Sequence, residues 1–137
     1  ITSGANIAIE LSQRRSCSVI ALGGQISGNT LSFSGAQAEA LLDLVNIEMA
    51  VMATSGYSKT GGFTSGSFSE SEIKRKVIAK AAKVIMLMDK SKLDRSLPFT
   101  FATLKDIDIL ITDSPLSFEL MLEAKDANVE VLVAKEY

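Results

Sequence analysis

The chain has 137 residues, a formal net charge of −2 and a hydrophobic fraction of 47%. That length suits a single domain with a sizeable core, and the apolar content argues against disorder. The single cysteine excludes a disulfide framework, and the absence of histidine excludes a histidine base or metal ligand. The slight negative charge argues against a nucleic-acid-binding surface on this segment.

No apolar run approaches the roughly 18 residues that a membrane-spanning helix needs, and no signal peptide opens the chain. A lone cysteine is also the pattern of a reducing compartment. We therefore expect a cytoplasmic protein with no membrane partner. Residues 1–4 look like the end of a strand running into a helix, so we expect a fragment of a longer protein.

Helical and strand patterns alternate in the first third of the chain. Residues 6–15 have the period of a helix, residues 19–22 form a short apolar run typical of a buried strand, and residues 36–45 have a second helical pattern. Between them, residues 25–35 alternate loosely around a Gly-Asn pair that favours a tight turn, so we expect a β-hairpin or two short strands.

The middle of the chain carries the clearest signals. Residues 49–53 predict a buried strand, and residues 57–67, rich in Gly, Ser and Thr, predict a long loop that covers a site. Ser69 and Glu72 then have the spacing of a capping box, so we expect a helix to begin there. Its apolar face leads into residues 84–88, a continuous apolar run that suits a strand buried on both faces.

The last third repeats the alternation. Residues 93–104 are irregular, and Pro98 limits any strand there to a short or edge piece. Strands are predicted over residues 107–111 and 129–133, with a helix over residues 116–127 between them. The side chains expected to face inward from that helix include Phe118, Met121 and Leu122. The alternation predicts an α/β fold, with a mainly parallel sheet flanked by helices.

Polar residues follow three of the predicted strands. They are Thr54, Ser55 and Gly56 after the first, Asp89, Ser91 and Lys92 after the second, and Thr112 and Asp113 after the third. Because parallel strands present their carboxyl ends on one edge of a sheet, where ligands bind, these groups should converge. The ammonium of Lys92 suits a phosphate or a sugar hydroxyl; the alternative is a solvated lysine after a strand.

Further candidates lie near helix starts and tight turns. Glu72 and Lys74 could line the same pocket, or serve only capping and a row of exposed ion pairs. The pair Thr2-Ser3 precedes the first helix and could seat an anion or simply cap the helix. The pair Gly23-Gly24 is a weak phosphate motif, since it indicates only a tight turn or a close backbone approach.

Six short motifs, taken in order, carry a family resemblance. They are LGG at 22–24, TLS at 30–32 with Gly35, GFT at 62–64, ESEIKR at 70–75, DKSK at 89–92 and DILITD at 108–113. A chain with these motifs resembles the C-terminal effector domain of DeoR-type bacterial transcriptional regulators. The resemblance covers nearly the whole chain.

The resemblance implies a fold similar to those of ribose-5-phosphate isomerase, glucosamine-6-phosphate deaminase and CoA-transferases. It also implies that the domain senses a phosphorylated sugar or related metabolite and forms a homo-oligomer. DNA would be bound by an N-terminal winged helix-turn-helix that is absent here, together with a first β-α unit and its phosphate loop. The chain departs from the family pattern at Ser55, where an aspartate is usual, and at Lys90, where a small residue is common.

The alternative is an enzyme of the same fold, a sugar-phosphate isomerase or an amino-sugar-phosphate deaminase. Such chemistry needs a positioned base. The isomerases of this fold look to carry several carboxylates just after the strand equivalent to residues 49–53. Residues 53–57 of this chain contain no carboxylate. The deaminases employ a histidine, and the chain has none. We therefore expect residues 1–137 to form a single effector-binding domain with no catalytic activity, cofactor or metal.

Overall fold

The computed structural model describes residues 1–134, which fall into two compact units. The first unit is Ile1–Val45, and the second begins at Asn46. The elements of the first unit are α1 (Ala5–Ser12), β1 (Gln25–Ile26), β2 (Phe33–Ser34) and α2 (Ala36–Asp43). The predicted hairpin is confirmed, because β1 and β2 pair in antiparallel register.

The strand predicted over residues 19–22 is wrong. Only Ala21 makes a bridge, a parallel one to Thr2, and only Leu22 of this run is buried. A strand needs a neighbour along its whole length, and here the pairing is limited to one residue. Helix α1 is also shorter than predicted, since it ends at Ser12, whose hydroxyl donates to the carbonyl of Ile9 at 2.7 Å.

The second unit contains eleven elements that combine two sheets with helices. In chain order they are β3 (Ile47–Ala53), β4 (Gly56–Ser58), β5 (Gly62–Ser65), α3 (Phe68–Lys80), β6 (Ala81–Met88), a 3-10 turn (Lys90–Lys92), β7 (Phe99–Ala102), a second 3-10 turn (Leu104–Asp106), β8 (Ile109–Thr112), α4 (Phe118–Asp126) and β9 (Glu130–Val133). The larger sheet has the order β3-β6-β8-β9 and every pairing in it is parallel. The predicted α/β class with a mainly parallel sheet is therefore confirmed.

One face of this sheet carries the core. Ala50 lies beside Val84, and Met86 lies between Met52 and Leu110; all of these side chains are buried. Helices α3 and α4 pack against the same cluster. The strand order β3-β6-β8-β9 follows the chain in one direction across the sheet, and both helices contact this one cluster.

The opposite face of the sheet corrects the expectation that its strands are buried on both sides. Met49 and Val51 alternate with the buried residues of β3, and they are 54% and 60% exposed. Leu87 of β6 is on the same face as Ala53 and is 39% exposed. The continuous apolar runs thus predicted the strands correctly, but they wrongly suggested that both faces of the sheet are buried.

A second, antiparallel sheet replaces the long loop predicted over residues 57–67. Its order is β4-β5-β7, and all four residues of β5 are buried. The rings of Tyr57 and Phe63 lie 4.8 Å apart across β4 and β5. The loop prediction was wrong because the Gly, Ser and Thr of this segment are held by tertiary packing rather than by their own propensity. Strand β7 lies at the sheet edge just after Pro98, as predicted.

The start of α3 also differs from the prediction. The N-cap is Ser67, whose hydroxyl accepts from the amide of Glu70 at 3.4 Å, while Ser69 lies inside the helix. The capping box predicted at Ser69 and Glu72 is therefore wrong by two residues. The same Ser-x-x-Glu spacing occurs at Ser67 and Glu70, and Ser65 additionally donates to the Glu70 carboxylate at 3.3 Å, which favours the earlier start.

The inward face predicted for α4 is wrong as well. Phe118, Met121 and Leu122 are 80%, 42% and 45% exposed, whereas Ala124 is fully buried and Leu120 packs against the core. The spacing of the apolar residues allowed more than one face, and the face that packs against the core is instead the one with Leu120 and Ala124. No helix within residues 1–134 is long and apolar enough to cross a membrane.

The turn between β4 and β5 provides a test of this fold. Gly62 has φ +65°, and a Cβ there would lie 2.4 Å from the carbonyl oxygen of Ala102. We expect Gly62→Ala to lower the free energy of unfolding by more than about 2 kcal/mol, because it combines backbone strain with a clash. Denaturant unfolding measures this loss.

The matched control lies four residues away in the same segment. A Cβ at Gly66 would meet open space. Gly66→Ala should therefore change the free energy of unfolding by no more than about 0.5 kcal/mol. Equal stability of the two variants would contradict the register of β5 against β7.

Candidate functional site

The chain segments that follow β3 and β6 run side by side at the carboxyl edge of the parallel sheet. Ala53 pairs with Leu87 at the ends of the two strands, and Tyr57 bridges Leu93 in parallel farther on. The amide of Arg95 also donates to the carbonyl of Tyr57 at 3.1 Å. The predicted convergence of residues 54–56 with residues 89–92 therefore follows from the strand register.

The turn after β3 is rigid because Thr54 is a buried hydrogen-bonding centre. Its hydroxyl donates to the carbonyl of Gly56 at 2.7 Å and lies 3.3 Å from the Gly56 amide, which donates to it. A Cβ on Gly56 would lie 2.5 Å from the carbonyl oxygen of Arg95. Thr54 and Gly56 thus have structural roles that fix the half-buried Ser55 at the sheet edge.

The segment after β6 holds the charged groups of the candidate site. Asp89 accepts from the amide of Ser91 at 2.8 Å, and the Lys92 ammonium lies 3.7 Å from the other Asp89 oxygen. The hydrogen bonds from Ser91 and the nearby charge of Lys92 lower the pKa of the Asp89 carboxyl. Lys92 itself is 30% exposed, so its charge is partly shielded from water but still reachable.

Strand β8 joins this edge through Asp113, which accepts from the amide of Lys90 at 2.7 Å. The polar pair Thr112-Asp113 was predicted to converge here, although the bond to the Lys90 backbone carries no sequence signal of its own. The Thr112 hydroxyl is buried and has no hydrogen-bond partner among residues 1–134. Three strand ends therefore supply carboxylates, hydroxyls and an ammonium to one edge.

Lys74 reaches the same edge from α3. Its ammonium donates to the carbonyl of Ala53, the last residue of β3, at 2.9 Å and lies 4.7 Å from the ring centroid of Phe101. Burial lowers the pKa of Lys74, and the carboxylate of Glu70 opposes that shift. Nothing in the sequence pointed to Phe101, because the ring reaches Lys74 from another sheet.

Glu72 takes part in a different interaction. It forms an ion pair with Arg75 on the same helix, and Arg75 in turn donates to the carbonyl of Thr100. Glu72 is therefore used in the exposed ion pairing that the sequence offered as the alternative, while Lys74 lies at the sheet edge.

Four further candidates lie in the first unit. The Thr2 hydroxyl accepts from the amide of Gly4 at 3.1 Å, which is a local turn contact, and the carbonyl of Ser3 accepts from Phe33. Gly23 and Gly24 have φ of +74° and +91°, and a Cβ on Gly24 would lie 2.6 Å from the carbonyl oxygen of Ser34. The glycine pair thus has a backbone reason that needs no ligand.

The second-unit edge has the chemistry of a small-molecule binding site. Lys92 offers a cation, Asp89 and Asp113 offer acceptors, and the turns that carry them are fixed by hydrogen bonds. Among residues 1–134, no group of three or more acidic or cysteine side chains is arranged to hold a metal ion. The arrangement suits an anionic or hydroxylated ligand better than a metal.

The half-buried side chain of Lys74, whose pKa is lowered by burial, predicts a pH dependence of stability. Because the pKa of Lys74 is lower in the folded protein than in the unfolded chain, the unfolded chain binds more protons between those two values. Stability contributed by this group therefore rises as pH increases through that window towards the unfolded pKa near 10.4. Wild type should gain stability relative to Lys74→Met over this range in urea unfolding.

The exposed Lys105, in the 3-10 turn before β8, supplies the control. The stability difference between wild type and Lys105→Met should not vary with pH in the way that the Lys74→Met difference does. A Lys74→Met difference that stays constant through the alkaline range would contradict burial of the ammonium.

The part of the chain that contains the candidate site also matches a known protein family. The family model described as the DeoR C terminal sensor domain matches residues 1–114. The matched range contains β3, α3, β6 and β8, together with every candidate site residue named above. It ends before α4 and β9.

Several curated relatives match almost the whole chain. The HTH-type transcriptional regulator GolR of Listeria innocua is 30% identical over 98% of this chain and 53% of its own length. The regulator GlpR of Haloferax volcanii is 31% identical over 96% of the chain and 51% of its own length. The repressor GlcR of Bacillus subtilis is 31% identical over 99% of the chain and 52% of its own length. The chain spans about half the length of these relatives.

Proposed function

We propose a function for this chain from the premise that it belongs to the family of DeoR C-terminal sensor domains. Its family membership confirms the resemblance found in the sequence and favours a regulator over an enzyme of the same fold. The proposal is that residues 1–137 act as one effector-binding domain of a cytoplasmic transcriptional regulator. Its effector is a phosphorylated sugar or a related metabolite, bound at the carboxyl edge of the parallel sheet.

The observation that supports this proposal is that hydrogen bonds fix the turns at the strand ends. Asp113 accepts from the Lys90 amide and Asp89 accepts from the Ser91 amide, so the turn that carries Lys92 is fixed before any ligand arrives. A preorganised charge loses less entropy when a ligand binds. A phosphate group would meet Lys92, and sugar hydroxyls would meet the neighbouring carboxylates and hydroxyls.

Sensing requires that the ligand prefer one arrangement of the full regulator over another. We propose that the chain self-associates and that effector binding changes the arrangement of its copies. DNA would be bound outside this segment, as the helix-turn-helix names of the relatives suggest. Symmetric assembly suits this role, because such regulators read paired half-sites.

The enzymatic alternative lacks support in the site. Residues 53–57 supply no carboxylate at the end of β3, and the chain contains no histidine. Lys74, the cation nearest to that strand end, is engaged by the carbonyl of Ala53. The carboxylates at this edge, Asp89 and Asp113, accept from backbone amides, so the edge suits holding a ligand better than moving a proton beside a carbonyl.

Binding of sugar phosphates by Lys92 variants tests the proposal. Ribose 5-phosphate, glucosamine 6-phosphate and inorganic phosphate are screened by thermal shift, and the best of them is titrated by calorimetry. Loss of one charge-assisted hydrogen bond removes about 1.5–3 kcal/mol, so Lys92→Ala should weaken binding roughly tenfold or more. The variant should still fold, because Lys92 follows the end of β6 and lies outside the hydrophobic core cluster.

Lys105→Ala makes the same charge change in the turn before β8, at the amino end of the strand, and should bind like wild type. If Lys92→Ala and wild type bind the same sugar phosphate with equal affinity, Lys92 is not part of the site. If none of these phosphates shifts the melting temperature of wild type, the proposed effector class is contradicted.

A further inference from the structure

Helix α4 has three distinct faces, and two of them are occupied. Leu120, Ala124 and Ala127 pack into the core of the second unit. Glu119 and Glu123 pair with Lys59, at 2.5 Å and 2.7 Å, so the β4–β5 turn holds a second face. Each face follows the three- and four-residue spacing of a helix.

The third face is apolar and uncovered within the described chain. Phe118, Met121, Leu122 and Lys125 follow the spacing i, i+3, i+4 and i+7, and the first three are between 42% and 80% exposed. They form one wall of a groove of about 530 Å³, whose other wall consists of residues 128–131. We call this surface the α4–β9 groove.

The groove borders an unpaired sheet edge. Strand β9 is the last strand of the parallel sheet and pairs only with β8 among residues 1–134. Its Leu132 and Val133 are 42% and 44% exposed. An exposed apolar edge strand beside an apolar helix face tends to associate with another protein surface.

We propose that the α4–β9 groove is the surface through which two copies of this chain associate. The inference rests on the self-association proposed above and locates it. Two opposite charges at the groove favour a second copy of this chain over a partner of one charge sign. Lys125 and Glu130 both line it, so the groove carries one charge of each sign rather than a field that would attract an acidic or a basic partner.

A two-fold axis makes such a pair self-complementary, since every contact between a residue of one copy and a different residue of the other is then formed twice. Lys125 of each copy would face Glu130 of the other, giving two ion pairs at the rim. The aromatic side chain of Phe118, which projects into solvent, would fill the apolar part of the opposite groove. Exposed aromatic anchors that become buried typically dominate the affinity of an interface.

Sedimentation of the chain and its Phe118→Glu variant provides the first test. Phe118 is the first residue of α4, where an acidic side chain is compatible with the helix, so the variant should fold. Wild type should form dimers at high micromolar concentration, and Phe118→Glu should raise the dissociation constant roughly tenfold or more. Leu44→Glu, at a residue 83% exposed in the first unit, is the matched control and should associate like wild type.

A charge exchange provides the second test. Lys125→Glu should weaken association because it places two carboxylates against each other, and Lys125→Glu combined with Glu130→Lys should restore it. Melting curves verify that each variant is folded.

A wild type that stays monomeric at high concentration would overturn both this inference and the proposed self-association, without affecting effector binding. A Phe118→Glu variant that associates as strongly as wild type would overturn the α4–β9 groove alone, and so would a double exchange that fails to restore association.

Discussion

The parallel pairing of β6 with both β3 and β8 is the constraint on which the candidate site depends. This pairing brings three strand ends to one edge, where backbone groups left without strand partners need other hydrogen bonds. Asp113 satisfies the Lys90 amide, and the Lys74 ammonium satisfies the Ala53 carbonyl. A shift of β6 by one residue would exchange its buried and exposed faces and would move the Lys90 amide away from Asp113.

The same contacts separate structural from ligand-binding roles. Thr54, Gly56 and Lys74 are engaged by the protein itself, so their contribution to a ligand site is chiefly to hold its shape. Lys92 differs, because its carboxylate partner is 3.7 Å away and 48% exposed, which leaves the ammonium able to bind an anion. Ligand recognition therefore depends on few side chains, which the hydrogen bonds at the sheet edge hold in position.

The sequence predicted the parallel sheet and the convergence of its polar strand ends, because continuous apolar runs and alternating periods are local signals. It failed for β4 and β5, whose Gly, Ser and Thr residues are buried by contacts with a distant strand. It also assigned the wrong face to α4. Apolar residues lie on two faces of that helix, so their spacing does not show which face packs against the core. The contact between Lys74 and Phe101 depends on the packing of α3 against β7 and has no local signature.

Amide chemical shifts of the isotopically labelled chain, followed while a sugar phosphate is titrated, test the central claim most directly. Effector binding at the carboxyl edge predicts saturable shifts concentrated in residues 54–57, 89–93 and 112–113, with Lys92→Ala weakening all of them together. Saturable shifts confined to other segments, such as residues 118–131, would contradict the account.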